Sequence, residues 1–349
     1  MQRGSQPSSA WRTRILVLAA LLPFLLSGLA RAEAGTLETV RERGLLVCGV
    51  GSEQPGFFAP DDAGGWSGFD VDFCRAVAAA VFKATDRVQF RPLMPSERLK
   101  ALSAGEVDLI ARVPTWNIET AVENSLELAA TTWFDGTGII VRKDLGITSV
   151  RELSGASICM RSAATAGQAV LGYFSARGMP VEVKTLEKPE DAAAAYERGD
   201  CTAFAGPLES LEIERQHLAA PEDHIVLPEP VQGEPLGPAV RAGDVVWRDI
   251  VRSVAAVMIG AEERGVTSAN LDQQLGDGPP QLKRWLQGGN GLAARLGLAQ
   301  SFAIDVIRLV GNYGESFARN LGSGSPNGYA RGLNRLWLNG GLITTTLLR

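Results

Sequence analysis

The sequence predicts an α/β protein of two lobes that are joined by two crossover segments. Short apolar segments alternate with amphipathic ones along residues 36–205, which is typical of parallel sheets covered by helices. The order of helix, glycine with an acidic residue, strand and polar loop occurs twice, in SAGEVDLIARVPTW and in ERGDCTAFAGPLES. The Pro/Gly-rich segment EPLGPAVRAG then precedes a long apolar helix, which indicates a second crossing between the lobes.

The first 32 residues have the pattern of an export signal rather than of a folded segment. A basic stretch precedes the apolar run 15–26, and the sequence Ala-Arg-Ala at 30–32 matches a cleavage site. The run is too short for a comfortable membrane span. We therefore expect an exported chain that is cleaved after Ala32, with Ala34 as the alternative.

The composition bounds the domain count and the class of partner. With 349 residues, of which 45% are hydrophobic and 21% charged, the chain is long enough for two domains. Without the four arginines of the signal segment, 30 basic residues face 39 acidic ones, and the net charge falls from −5 to −9. An acidic surface argues against nucleic acid or an anionic membrane as a partner. We expect no cofactor.

The exported chain keeps four cysteines, which in an oxidising compartment indicate disulfides, although four cysteines allow three pairings. Their distribution suggests one pair in each half, Cys48 with Cys74 and Cys159 with Cys201. The alternative is a zinc site. No C-x-x-C motif occurs and both histidines lie outside the cysteine pairs, so we expect no metal.

The first lobe is predicted from the order of its apolar segments. Its elements are a helix at 36–43, strands at 45–50 and 88–93, a helix within 68–82, a helix between Ser96 and Gly105, and a strand at 107–110. The polar loop ARVPTWN follows the last strand. Because loops at the carboxyl ends of parallel strands form binding crevices, we expect this loop to line a small-molecule pocket. Phe57, in the turn-rich loop 51–68, is a candidate pocket wall.

The second lobe repeats this order, with strands predicted at 156–160, 181–186 and 201–205 and helices between them. Crossovers near 139–143 and 235–241 form a hinge that lets the lobes close on a ligand. We expect lobe 1 to comprise 33–140 and 238–275, lobe 2 to comprise 141–237, and a C-terminal extension, 276–349, to pack on the lobes. In the extension, apolar residues from Phe302 to Phe317 recur at helical spacing.

Six ordered motifs resemble the periplasmic substrate-binding proteins of polar amino-acid ABC transporters, in particular the general L-amino-acid-binding branch. They are GFDVDFCRAVAAAVF, ERLKALSAGEVDLIAR, WFDGTGIIVRKDLG, ELSGASIC, EPLGPAVRAGD and VGNYGESFARN. The resemblance covers nearly all of the exported chain. It implies a two-lobed periplasmic-binding-protein fold of type II-like topology, a periplasmic location and a monomer. The implied partners are a small polar solute, such as an amino acid or a related anion, and an ABC transporter permease.

The resemblance also implies which residues should grip an amino acid, and here the chain departs from the family. An arginine that usually holds the ligand's α-carboxylate is replaced by Thr120, and a Gly-Thr-Thr turn by the segment that ends at Thr165. The aspartate that usually meets the ammonium group is replaced by Pro207. We therefore expect a specificity that is altered from ordinary L-amino acids.

The predicted ligand-binding residues combine these positions with their neighbours in the mouth loops. They are Phe57, Arg112, Thr115, Trp116, Thr120, Arg161, Thr165, Pro207 and Glu209. Arg112 and Arg161 are candidate anion receptors, although Arg112 also fits a scaffold role that is common in the branch. Glu209 is a candidate partner for a cation, the alternative being a solvated helix acid.

Two other functions fit the same sequence. One is a degenerate binding protein that acts as a ligand-independent partner or sensor. The other is a periplasmic dehydratase-like enzyme, in which only Glu209 or Asp70 could serve as the acid or base. The histidines lie far from the matched pocket, so we expect no enzymatic activity.

Overall fold

The computed structural model describes Met1 and residues 35–345, with gaps at 52, 62–63, 114–115, 162–163, 290 and 327. The predicted signal segment and its cleavage point, at Ala32 or Ala34, lie outside the described residues apart from Met1. Thr115 also lies outside them.

Lobe 1 begins with ten regular elements. They are α1 (Thr36–Arg43), β1 (Leu46–Val50), β2 (Ala59–Pro60), β3 (Trp66–Ser67), α2 (Phe69–Phe82), β4 (Val88–Pro92), α3 (Pro95–Ser103), β5 (Leu109–Ile110), α4 (Ile118–Asn124) and β6 (Leu126–Leu128). The short strands β2 and β3 pair as a hairpin that the sequence did not predict. Helix α3 begins at Pro95, one residue before the predicted start at Ser96, and its N-cap is Met94.

Lobe 2 follows without a break. Its elements are β7 (Trp133–Arg142), β8 (Ser157–Arg161), α5 (Ala164–Ser175), β9 (Glu182–Leu186), α6 (Pro189–Glu197), β10 (Ala203–Pro207), α7 (Leu208–Gln216), β11 (His224–Val226) and β12 (Gln232–Leu236). The chain then returns to lobe 1 and continues into the C-terminal extension. These elements are β13 (Ala239–Arg241), α8 (Val245–Glu263), α9 (Leu271–Asp277), α10 (Pro280–Leu286), α11 (Leu292–Arg295), α12 (Phe302–Leu309) and α13 (Tyr313–Asn320).

The two lobes have similar sheets, as the repeated sequence order predicted. In lobe 1 the strand order is β4-β1-β5-β13-β6, and in lobe 2 it is β11-β7-β10-β8-β9, with β12 also paired to β7. Strands β4, β1 and β5 are parallel to one another, and so are β10, β8 and β9. Strand β13 in lobe 1 and strand β7 in lobe 2 run antiparallel to their neighbours, so each sheet is mixed rather than wholly parallel.

The hydrophobic clusters of the two lobes meet on the crossover strands a few residues away from the expected lobe boundaries at 140 and 237. Ile139 and Ile140, which we expected to end lobe 1, are buried in the two hydrophobic clusters of lobe 2. Leu236, which we expected in lobe 2, is buried in the core of lobe 1. The reason is that β7 is one uninterrupted strand from Trp133 to Arg142, so no break in secondary structure marks where the chain passes from one lobe to the other.

The C-terminal extension packs on lobe 1 and adds to its core. Helices α12 and α13 lie against α2 and α8, and Phe302, Val306 and Phe317 are buried there. Asp72, in the first turn of α2, accepts hydrogen bonds from Ser316 Oγ at 2.8 Å and Asn320 Nδ2 at 2.6 Å. The recurring apolar residues of the extension are therefore core residues, except Leu309, which is exposed.

Two disulfides join Cys48 to Cys74 and Cys159 to Cys201, which are the predicted pairs. Each bond lies within one lobe, so neither crosses the hinge. Among the described residues, the helices include none with the length and apolar character that a membrane crossing requires.

Candidate functional site

Arg112 lies at the mouth of lobe 1, directly after β5 and Ala111, but its guanidinium is buried among neighbours from its own lobe. Its Nε donates to Asp70 Oδ2 at 3.1 Å and its Nη2 to Gln54 Oε1 at 3.0 Å. The two charged side chains are only 6% and 5% exposed. A buried guanidinium that is paired in this way holds the loop to the first turn of α2. The geometry favours the scaffold interpretation of Arg112 over the anion clamp.

Phe57 is fully buried rather than open to the cleft. The guanidinium carbon of Arg112 lies 4.0 Å from the centre of the Phe57 ring. Trp133 and Tyr329 meet the same ring edge-on, with centroids at 4.9 and 6.2 Å. We expected a pocket wall. The aromatic and cationic neighbours explain the difference, because they cover the ring on several sides.

Trp116 connects the mouth loop of lobe 1 to the crossover strand β12. Its backbone N–H donates to Glu234 Oε1 at 2.8 Å. Burial raises the pKa of the Glu234 carboxyl, and the hydrogen bond from Trp116 partly opposes this rise. Glu234 is an acidic group beside the predicted binding loop that the motif matching missed. The signal available for it was its place in the crossover motif EPLGP.

Thr120 lies in the first turn of α4, at the position where the resemblance implies an arginine. Its backbone N–H is bound by the side chain of Asn117, the N-cap, at 2.8 Å, and its carbonyl accepts from Asn124 Nδ2 at 2.9 Å. The residue is half-buried. Its side chain can offer one neutral hydroxyl to a ligand and no charge.

Arg161 and Pro207 lie at the same edge of the second sheet, because they end the adjacent parallel strands β8 and β10. Both residues are exposed. Pro207 is also the N-cap of α7 and makes no side-chain capping bond. Thr165 belongs to α5 and Glu209 to α7, but their side chains lie outside the described part of the structure.

Glu214 is a second acidic residue that sequence reasoning missed. It lies on α7, where Ser210 Oγ donates to its Oε1 at 3.0 Å, and its Oε2 is buried with no hydrogen-bond partner among the described residues. Burial raises the pKa of this carboxyl, and the nearby charge of Arg161 lowers it in part. Arg161 therefore lies at the mouth of lobe 2, close enough to the buried Glu214 carboxyl for the two charges to interact. The four-residue spacing of Ser210 and Glu214 was the only signal in the sequence.

The comparisons with known proteins agree with this architecture. Residues 46–274 match the model of the bacterial extracellular solute-binding proteins, family 3. The chain belongs to this family. The match spans both lobes and ends within α9.

Relatives of this family 3 protein are similar along almost their whole length. The general L-amino acid-binding periplasmic protein AapJ of Rhizobium johnstonii is 41% identical over 95% of this chain and 98% of its own. The glutamate/glutamine/aspartate/asparagine-binding protein BztA of Rhodobacter capsulatus is 38% identical over 89% of this chain and 93% of its own. These relatives are named as binding proteins rather than enzymes.

A solved structure of a periplasmic binding protein from Brucella ovis, with glutathione bound, is 42% identical to this family 3 protein. It superposes with a TM-score of 0.74 over 91% of this chain and the whole of that chain. A relative at this level of identity therefore binds a peptide-like solute that is larger than a single amino acid.

Proposed function

We propose that this chain is the periplasmic solute-binding protein of an ABC-type amino-acid uptake system, with a specificity that is altered from ordinary L-amino acids. It acts as a monomer that captures a small polar solute between its lobes and presents it to a membrane permease. Family membership and the two hinged sheets support the binding role. The observation that carries the altered specificity is the state of the cleft: Arg112 is paired within lobe 1, and Thr120 and Pro207 carry no charge.

The energetics explain why these losses matter. A micromolar complex has a binding free energy of about −8 kcal/mol. Leaving a buried ion without its partner costs roughly 2–5 kcal/mol, and a zwitterion would lose a partner at both ends. An ordinary amino acid would then bind in the millimolar range or weaker.

Other charged groups can serve a different solute. Arg161 is exposed at the mouth of lobe 2 and offers a guanidinium to an anionic group. Glu234 keeps a carboxylate beside the loop at Trp116. A solute whose charges are placed differently from those of an α-amino acid fits these groups better. The Brucella relative shows that glutathione belongs in the set of solutes to be tested.

Isothermal titration calorimetry of the mature protein tests the proposal. The panel contains L-amino acids, dicarboxylates, amines and glutathione. We expect micromolar binding of at least one solute outside the L-amino acids, and Arg161→Ala should weaken the binding of an anionic solute at least about tenfold. Arg198→Ala, at an exposed ion pair with Asp200, is the matched control and should change nothing.

Two results would contradict the proposal. Low-micromolar binding of several L-amino acids would show that the specificity is the usual one. If no solute in the panel bound, the ligand-independent partner described above would replace the transport role.

A further inference from the structure

The C-terminal extension holds the first crossover strand by its backbone. The side-chain amide of Asn334 accepts from the N–H of Phe134 at 2.7 Å and donates to the carbonyl of the same residue at 2.9 Å. Strands β7 and β12 pair as a two-stranded ribbon. In this ribbon Phe134 faces Pro235, which has no N–H to donate. The side chain of Asn334, which is 5% exposed, therefore pairs with Phe134 as a neighbouring strand would.

The two residues before Phe134 are held by the same extension. The hydroxyl of Tyr313 donates to the carbonyl of Thr132 at 3.0 Å, in a buried bond. The ring of Phe317 stacks on that of Trp133, with centroids 6.2 Å apart and planes 15° apart. Three successive residues, Thr132 just before β7 and the first two residues of β7, are thus attached to lobe 1 through α13 and the segment that carries Asn334.

The opposite end of the ribbon belongs to lobe 2. Ile139 on β7 and Val231, just before β12, are buried in the core of lobe 2. On β12, Leu236 is buried in the core of lobe 1. The ribbon therefore passes from one lobe to the other in a short interval, after Phe134 on one strand and before Leu236 on the other.

A glycine pair lies inside this interval. Gly136 and Gly233 stand directly opposite each other in the ribbon, so neither strand has a side chain at this rung. Glycine adopts a wider range of backbone angles than other residues, so bending costs least here.

We propose that the C-terminal extension fixes the first crossover to lobe 1 through Asn334 and so places the bend of lobe closure at the Gly136–Gly233 pair. Asn334 is a positioning residue in this account, because it touches the crossover strand and not the solute. Without it, bending would spread back toward residues 129–134, and the closed arrangement of the two mouths would be less well defined. The inference concerns how the lobes move and does not depend on which solute binds.

Hydrogen exchange in the ligand-free, mature protein tests the attachment. In Asn334→Ala, the amide of Phe134 should exchange about tenfold faster, because its acceptor is lost. Asn339→Ala is the matched control, since Asn339 is an exposed asparagine in the same extension. The exchange rate of the Phe134 amide is measured by mass spectrometry at the resolution of single amides. An unchanged exchange rate at Phe134 in Asn334→Ala would overturn the proposal.

Interlobe distances test the bend itself. The four native cysteines are paired, so spin labels can be attached to Glu42→Cys in lobe 1 and Glu187→Cys in lobe 2, both exposed. Asn334→Ala should broaden the distribution of distances. Gly233→Ala should narrow it, because the added methyl group meets no atom within 4 Å but restricts the backbone.

Gly172→Ala is the matched control for the glycine change. Gly172 lies in α5, away from the ribbon, and its added methyl group also meets nothing within 4 Å. The distribution should stay as in the parent protein. Equal widths for the parent, Asn334→Ala and Gly233→Ala would overturn the proposal. Because no solute is added, this outcome is independent of any failure of the proposed function.

Discussion

At the scale of single residues, the environment of a side chain decides its role more than its position in a motif does. Arg112 matches a mouth-loop position, yet Asp70 and Gln54 hold its guanidinium inside lobe 1. Position in the sequence could predict the loop. It could not predict the pairing, because Asp70 and Arg112 are 42 residues apart and meet only in the folded lobe.

Replacing Arg112 distinguishes the scaffold role from an anion clamp. Arg112→Ala would leave Asp70 as a buried charge without its guanidinium, and the free energy of unfolding should fall by about 3–5 kcal/mol. Urea denaturation measures this change. Arg91→Ala removes an exposed ion pair with Glu106 and should cost less than about 1 kcal/mol. A clamp would instead show unchanged stability together with lost solute binding.

Glu234 should make the free energy of unfolding depend on pH, and the sign of this dependence follows from the raised pKa of its carboxyl. Burial raises its pKa above the ordinary value of 4.5, so the folded state binds the proton more tightly than the unfolded state does. The contribution of the Glu234 carboxyl to the free energy of unfolding therefore decreases as the pH rises from the pKa of the unfolded state to the higher pKa of the folded state. Glu234→Gln keeps an acceptor for the Trp116 N–H but cannot ionise.

We expect Glu234→Gln to be more stable than the parent at neutral pH and equally stable at about pH 3, where the carboxyl is protonated in both states. Thermal unfolding across this range measures the difference. A variant that is less stable than the parent at neutral pH would show that the charge of Glu234 is stabilised by a group other than Trp116.

At the scale of elements, the sequence predicted the order of the helices and strands, whereas the hydrophobic clusters of the lobes meet a few residues from the expected boundaries. The alternation of apolar and amphipathic segments predicted both sheets, and the distribution of the cysteines predicted both disulfides. The pairing of β7 with β12 was not visible in the sequence, because β7 is one uninterrupted strand and no break in secondary structure marks where it passes from one lobe to the other. Glu214 was missed because no motif covers it on α7, and Glu234 was missed because its motif was interpreted only as a crossover between the lobes.

The two disulfides should stabilise the lobes without controlling closure. They close loops with sequence separations of 26 and 42 residues, and the chain-entropy model gives about 3–4 kcal/mol for each. Cys159→Ala with Cys201→Ala should lower the free energy of unfolding by this amount and leave the solute affinity unchanged. Differential scanning calorimetry and titration measure the two quantities. A loss of affinity in the folded variant would mean that this bond also shapes the cleft.

At the scale of the whole molecule, two lobes with separate sheets are joined by the short ribbon of β7 and β12. Lobe 1 is enlarged by the C-terminal extension, whose helices share its core. The mouths carry Trp116 and Glu234 on one side and Arg161 on the other. The central claim is that this cleft still closes on a solute but lacks the groups that grip a zwitterion.

Restoring those groups tests the claim most directly. Thr120→Arg with Pro207→Asp places the usual guanidinium on α4 and the usual carboxylate at the N-cap of α7, where aspartate is favoured. Calorimetry of the parent and the double variant against L-amino acids is the measurement. We expect millimolar or weaker binding by the parent and at least about tenfold tighter binding by the variant. Low-micromolar binding of L-amino acids by the parent would contradict the claim.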